Sequence, residues 1–170
     1  TNGIDLGAST VTGTYRVTAG SAVIDSGTLE ISGITTITAG SSNNITLDHA
    51  TNNFAAAVEI ASGKDVEITD EDAIILGAST VSGTYDITAD GPVTNSGTLE
   101  ISGITTITAG SGNNITLNSA ANNFAAAVKI ASGNDVAITD EDTIDLGDST
   151  VSGTYAITAT AGNISDSGTL

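Results

Sequence analysis

The chain repeats itself with a 70-residue period. Residues 26–40 return unchanged as residues 96–110, and the whole first copy aligns with the second without an insertion or deletion. The two copies differ at 17 of 70 positions. Units of this kind bury their apolar surface against their neighbours in an array. We therefore interpret residues 1–170 as a single continuous segment made of the sequence repeats 3–72, 73–142 and, in part, 143–170.

A finer period runs through each copy. The dipeptide Ile-Thr, once Val-Thr, recurs at steps of 20, 31, 19, 20, 31 and 19 residues. Three sub-repeats of about 23 residues in each unit lie in the range of solenoid coils. The threonines of these dipeptides are Thr18, Thr38, Thr69, Thr88, Thr108, Thr139 and Thr158.

Each sub-repeat has the pattern of short β-strands. Apolar residues stand in i, i+2 pairs such as Tyr85/Ile87 and Leu99/Ile101, with polar residues between them. β-Branched residues dominate these stretches, and turn-forming Gly, Asn, Asp and Ser separate them. The 20 glycines argue against helices. The sequence predicts an all-β fold, a parallel β-solenoid of about seven coils with three coils in each 70-residue repeat.

Right-handed winding is expected, because parallel crossovers usually have that hand and the unequal coils do not fit a hexapeptide rhythm. A β-sandwich is the alternative fold. It would not explain why positions about 20 residues apart carry the same dipeptide.

The charge balance excludes several classes of partner. The chain has 3 Lys and Arg against 20 Asp and Glu, a formal net charge of -17, with 39% hydrophobic residues. A nucleic-acid interface needs a basic surface, and an acidic membrane would repel this chain. No apolar run approaches the ~20 residues of a membrane span, so no membrane insertion is expected. With no Cys, disulfides and thiolate metal sites are excluded.

Two phrases resemble a known family. ISGITTITAGSGNNITLNSAANNF and VKIASGNDVAITDED, from the second copy, are similar to repeats of very large bacterial surface proteins, the filamentous-haemagglutinin-like β-strand-repeat adhesins. The resemblance extends over essentially the whole chain. It implies a right-handed β-helical stalk, exported and displayed on the bacterial cell surface or shed into the extracellular medium. We expect the chain to be a piece of a longer protein whose secretion signal and adhesive tip lie elsewhere, and the resemblance transfers no binding residue.

Two acidic clusters are the weak candidates for a metal site. Clustered carboxylates favour calcium, but the glycine-rich nonapeptide of calcium-loaded β-rolls is missing. One cluster per repeat would lie about 14 Å, or three coils, from the next, beyond the ~8 Å screening length at physiological salt. A solvated acidic turn is therefore the favoured interpretation, with no cofactor. The calcium candidates are Asp70, Asp72, Asp140 and Asp142.

Other features have a functional and a structural interpretation. Paired threonines two residues apart form ice-binding faces, but only Thr36/Thr38 and Thr106/Thr108 make the pair. Phe54 and Phe124 are expected to fill a widened coil, and the Asn pairs that precede them are expected to stack as amide ladders or to occupy left-handed turns. Catalysis has little support, since the single histidine, His49, is a serine in the next copy.

The sequence therefore favours a structural, non-catalytic stalk or filament segment of an extracellular adhesin-like protein. The alternative is a ligand-binding solenoid face for calcium, carbohydrate or ice. Solenoid ends expose unpaired backbone, so self-association end to end is expected, and lateral association is possible although the acidic surface opposes it. The ligand on a host or neighbouring cell is not specified by any residue.

Overall fold

The computed structural model describes residues 3–170, and in this range the chain is all-β, without a helix. Short runs of alternating apolar and polar residues form the strands, and Gly, Asn, Asp and Ser lie between them. The strands are β1 (Ile4–Asp5), β2 (Ser9–Val11), β3 (Tyr15–Thr18), β4 (Val23–Ile24), β5 (Leu29–Ile31), β6 (Thr35–Thr38), β7 (Ile45–Leu47), β8 (Asn53–Phe54), β9 (Val58–Ser62), β10 (Val66–Asp70), β11 (Ile74–Leu76), β12 (Ser79–Val81), β13 (Tyr85–Ala89), β14 (Val93–Asn95), β15 (Leu99–Ile101), β16 (Thr105–Thr108), β17 (Ile115–Leu117), β18 (Asn123–Phe124), β19 (Val128–Ser132), β20 (Val136–Asp140), β21 (Ile144–Leu146), β22 (Tyr155–Ala159) and β23 (Ile164–Asp166).

All strand pairs are parallel, and they form two long sheets and two short ones. Face 1 has nine strands in the order β1-β4-β7-β10-β13-β16-β19-β21-β23, and face 2 has eight in the order β3-β6-β9-β11-β14-β17-β20-β22. Edge 1 (β2-β5-β8) lies where the chain passes from face 1 to face 2, and edge 2 (β12-β15-β18) where it returns. The predicted parallel β-solenoid is confirmed, and the hand of its winding stays a prediction.

The solenoid has about eight turns, not seven. Eight steps along face 1 lead from Ile4 to Ile164, so one turn takes about 20 residues on average, as in other solenoids. Thr88 pairs with Thr108 on the next strand, as expected of one lap. Each 31-residue step, however, is one and a half laps, because Thr38 on face 2 pairs with Ser62 while Thr69 lies on face 1.

A 70-residue repeat therefore makes three and a half turns rather than three. Tyr15 lies on face 2, Tyr85 on face 1 and Tyr155 on face 2 again. Successive repeats are related by half a turn about the axis, and any feature present once in each repeat alternates between opposite sides. The threonines of the Ile-Thr dipeptides accordingly form three short ladders on two faces: Thr18–Thr38, Thr69–Thr88–Thr108 and Thr139–Thr158.

One apolar core runs the length of the solenoid between the two faces. Inward Ile, Val and Leu residues from successive turns stack in ladders, and Phe54 and Phe124 are each 1% exposed, so they fill the interior as predicted. Tyr85 is fully buried, and this burial raises the pKa of its hydroxyl. Within these apolar ladders the first two copies differ only at Val17 and Ile87, so sequence drift is concentrated at outward positions.

Two glycine pairs allow neighbouring turns to approach closely. A Cβ on Gly103 would collide with the carbonyl group of Gly83, and the first repeat has the same contact between Gly33 and Gly13. We expect Gly103→Ala to destabilise the protein by about 1–3 kcal/mol, because the backbone of one turn must move away from the next. Gly112→Ala is the control, since a Cβ there meets nothing within 4 Å. Equal melting temperatures for the two variants would contradict the expectation.

Candidate functional site

Two buried aspartates hold the acidic corners together. Asp70 is 1% exposed, and its carboxylate accepts hydrogen bonds from the backbone N–H of Phe54 (3.1 Å) and of Asp72 (2.9 Å). Asp140 does the same with Phe124 (2.8 Å) and Asp142 (2.9 Å). Each side chain therefore joins two consecutive turns through their backbone.

The calcium candidates are not gathered at one site. Asp70 lies beside edge 1 and Asp140 beside edge 2, because the two repeats are half a turn apart. The expectation that the clusters lie three coils apart was wrong for this reason, since three and a half turns separate them. Asp72 and Asp142 are exposed. Across residues 3–170, no group of three or more His, Asp or Glu side chains is placed to hold a metal ion.

Burial raises the pKa of Asp70 and Asp140. This effect is larger than that of the hydrogen bonds from backbone N–H groups, which lower the pKa. The pKa of Glu67 is also raised, by burial and by the charges of Asp48 and Asp86. A raised pKa in the folded state means that these groups stabilise the fold at low pH and that this contribution is lost as the pH rises through the raised values.

We therefore expect the melting temperature to increase as the pH is lowered from 7 toward 3.8, the ordinary pKa of an Asp side chain. The lowered pKa values of Asp5, Asp65 and Asp135 act in the opposite direction, but only at still lower pH. Thermal melts followed by circular dichroism test this. Asp140→Asn should flatten the pH dependence, and a melting temperature that falls steadily from pH 7 to 5 would contradict the assignment.

Two fully buried asparagines bind the backbone of neighbouring turns. Asn52 accepts a hydrogen bond from the backbone N–H of Leu29 (2.8 Å) and donates to the carbonyl of Leu47 (3.2 Å) and to Asp25 (2.6 Å). Asn122 makes the equivalent backbone bonds in the second repeat. The left-handed turns predicted for these asparagines were wrong, and in place of a continuous amide ladder Asn122 accepts a single amide bond from Asn95 (2.9 Å). Among the described residues no residue other than glycine has a positive φ, and these amides satisfy backbone groups instead.

A β-bulge opens a groove on each face. The register between β6 and β9 shifts after Ile37, and Ala61 is the extra residue. Next to it the Ser79 hydroxyl replaces a backbone partner: it accepts from the N–H of Ile60 (3.3 Å) and donates to the carbonyl of Gly77 (3.1 Å). The resulting groove of about 290 Å³ is bounded by hydroxyl groups and two glutamates. Its polar lining residues are Glu59, Ser79, Thr80, Thr98 and Glu100.

The second repeat has the equivalent groove on the opposite face. It measures about 450 Å³, and Lys129 and Asp148 line it where the first groove has Glu59 and Ala78. No pattern in the sequence alone predicts these grooves. The signal that marks them is the sequence separation between Thr38 and its partner Ser62, which is one residue longer than the separation between the other paired residues of β6 and β9.

The remaining candidates do not come together in a further site, although Thr106 lines the groove of the second repeat. Thr36/Thr38 are on face 2 and Thr106/Thr108 on face 1, so the paired threonines do not share one face. His49 lies in the turn before Asn52, where Nδ1 shares a hydrogen bond with the hydroxyl of Thr51 (3.1 Å).

The chain matches a family described as repeats of unknown function (DUF5649) over residues 1–61, 63–131 and 133–170. These three segments follow the 70-residue period. No curated protein and no solved structure matches the chain. Across residues 3–170, no helix is long and apolar enough to cross a membrane.

Proposed function

We propose, from the premise that this chain belongs to the DUF5649 family of repeats of unknown function, that it is a structural, non-catalytic segment of a stalk or filament. The observation that carries the proposal is the unbroken parallel sheet of face 1, which joins nine strands from β1 to β23. Nothing interrupts the stacking of turns along that sheet. Such a segment holds whatever is attached to its ends at a fixed distance.

The rigidity of the rod has two sources. Backbone hydrogen bonds join each turn to the next, and buried Asp70 and Asn52 add side-chain bonds to the backbone of neighbouring turns. The apolar ladders form one continuous core, so bending the rod would open contacts along its whole length. The formal net charge of -17, most of it on the surface, favours the solubility of such rods.

The cellular setting belongs to the same proposal. We place the segment in an adhesin-like protein outside a bacterial cell, where it associates end to end with further copies. Its support is the resemblance of the repeats to surface adhesins, the absence of cysteine and the low cation content. Near-identical units let the length of such a stalk increase by duplication.

The test is the length of the rod. With a rise of about 4.8 Å per turn, each added 70-residue repeat of three and a half turns should lengthen the particle by about 17 Å. Chains with two, four and six repeats, imaged by electron microscopy, should give a straight line of that slope. A particle that grows in width, or whose length varies from image to image, would refute the stalk.

The grooves favour a second candidate, a carbohydrate-binding face. Thr80 and Thr98 present hydroxyl groups, and Glu59 and Glu100 carboxylates, around an open groove, and hydrogen-bonding groups at a concave surface are what a sugar requires. A glycan array with the 170-residue chain tests it, because a pure stalk gives no signal there. Calorimetry with calcium tests the acidic corners in the same way.

A further inference from the structure

Two surface patches on opposite faces have nearly the same composition. Patch 2 consists of the outward residues of 14–18, 34–38 and 57–61, on and beside β3, β6 and β9 of face 2. Patch 1 consists of the outward residues of 84–88, 104–108 and 127–131, on and beside β13, β16 and β19 of face 1. Because the repeats are half a turn apart, the two patches point away from each other.

The patches differ at two positions, and both differences reverse a charge. Arg16 of patch 2 corresponds to Asp86 of patch 1, and Glu59 corresponds to Lys129. The other 15 differences between the first two copies include no exchange of an acidic for a basic residue. Two of the three basic residues of the chain therefore stand in these patches.

The charges lie in one line along the rod. Strand register places Arg16, Thr36 and Glu59 side by side on face 2. On face 1 the equivalent line reads Asp86, Thr106 and Lys129.

Within the described range, 3–170, the two cations have no acidic partner. Among residues 3–170 the one ion pair joins Lys64 to Asp65 (2.7 Å), so neither Arg16 nor Lys129 is paired with a carboxylate. Each patch also carries an exposed isoleucine, Ile34 at 42% and Ile104 at 38%. Each patch thus combines an unpaired cation with an exposed apolar side chain. Contact with a complementary surface would pair the cation with a carboxylate and bury the apolar side chain.

We infer that patch 2 of one copy packs on patch 1 of a second copy, with the two rods parallel and displaced along the axis by about 17 Å, three and a half turns. In this arrangement Arg16 meets Asp86 and Glu59 meets Lys129. An antiparallel contact between the unlike patches would oppose Arg16 to Lys129 and Glu59 to Asp86. Since each copy has both patches, on opposite faces, the contact is open-ended and builds a layer of rods.

The reversal of charge distinguishes this arrangement from a two-fold dimer. If patch 1 of two copies packed on each other about a two-fold axis, Asp86 of one copy would also meet Lys129 of the other. Such a dimer would form equally well if the two repeats carried the same charges. Parallel pairing of unlike patches needs both reversals, and both are present.

The contact is weak and depends on salt. Five overlapping turns bury roughly 400 Å² on each copy, so the total is below that of a stable complex of ordinary size. The acidic surfaces repel at low salt, whereas at about 0.15 M the ~8 Å screening length weakens distant repulsion more than close ion pairs. Association is therefore to be measured near 1 mM protein, the range of weak complexes.

Charge exchange within one patch tests the inference without changing the net charge. Arg16→Asp with Glu59→Lys gives the chain two patches of the patch 1 type, and Asp86→Arg with Lys129→Glu gives it two of the patch 2 type. In sedimentation velocity each double variant alone should associate about tenfold more weakly than the native chain, and an equal mixture of the two should regain native association. Lys64→Asp with Asp90→Lys is the control and should behave like the native chain.

Cross-linking reports the register. The chain runs in opposite directions on the two faces, so Thr14 of one copy lies opposite Thr88 of its neighbour, and both are exposed. Thr14→Cys and Thr88→Cys chains should cross-link with a bismaleimide of about 10 Å, the spacing of packed sheets. Thr154→Cys, two repeats beyond Thr14 on the same face, should not cross-link with Thr88→Cys.

The inference deepens the proposed structural role, and the two can fail separately. The lateral contact would be overturned if either double variant alone associated as strongly as the native chain. It would also be overturned if an equal mixture of the two variants did not regain native association. Straight rods whose length follows repeat number would still support the stalk in that case.

Discussion

Replacing Asn122 with alanine is expected to lower the free energy of unfolding by about 3–5 kcal/mol. The amide of this fully buried residue accepts from the N–H of Leu99 (3.1 Å) and from Asn95 (2.9 Å) and donates to the carbonyl of Leu117 (3.2 Å). Alanine leaves the N–H of Leu99 and the carbonyl of Leu117 buried without the bonds from this side chain, and each such group costs about 1–3 kcal/mol. Chemical denaturation followed by circular dichroism measures the change.

The neighbouring residue supplies the control. Asn123 is half-buried and donates to the carboxylate of Glu141 (2.9 Å) near the surface. Asn123→Ala should cost less than about 1 kcal/mol, because water replaces the lost bond. If both alanine variants were equally destabilised, the loss would reflect the corner in general rather than the buried amide.

Replacing Thr35 and Thr105 together with valine is expected to stabilise the protein by about 2–4 kcal/mol. Both residues are fully buried, and their hydroxyl oxygens have no hydrogen-bond partner. Thr35 stands between Tyr15 and Val58 in the ladder, so valine already fits the neighbouring turn. The substitution exchanges an unsatisfied hydroxyl for a methyl group of similar size.

Thr116→Val is the matched control for this pair, because Thr116 faces outward from face 2 and is only half-buried. Its effect should stay within about 0.5 kcal/mol. Thermal melts of the double variant and of each single variant measure the effect, and the melting temperature is expected to rise in all three. A destabilised Thr105→Val chain would mean that the hydroxyl has a partner in solution.

Much of the fold could be predicted from the residues because burial fixes a simple pattern. Pairs such as Tyr85/Ile87 must face inward, and recurrence of Ile-Thr after one coil length indicates stacking of one strand on the next. The number of turns was missed because the same dipeptide occurs on both faces. Sequence spacing alone does not distinguish one long lap from a lap and a half.

The candidate sites were less accessible to sequence reasoning. The functions of Asn52 and Asp70 depend on backbone groups from turns that are distant in the sequence, which no local pattern reveals. The grooves depend on a single extra residue, Ala61, inside an otherwise regular strand. Reversal of charge between Glu59 and Lys129 is visible in the sequence, but it acquires meaning only once the two positions are known to lie on opposite faces.

The half-turn between repeats has a consequence for how such a protein changes length. Gain or loss of one repeat unit turns everything beyond it to the opposite side of the axis, whereas gain or loss of two units keeps the original orientation, since two units together make seven whole turns. Length variants that differ by an even number of units would therefore present a distal domain toward the same side, and odd variants would present it toward the other. In this architecture the parity of the repeat number sets the direction in which a distal domain points.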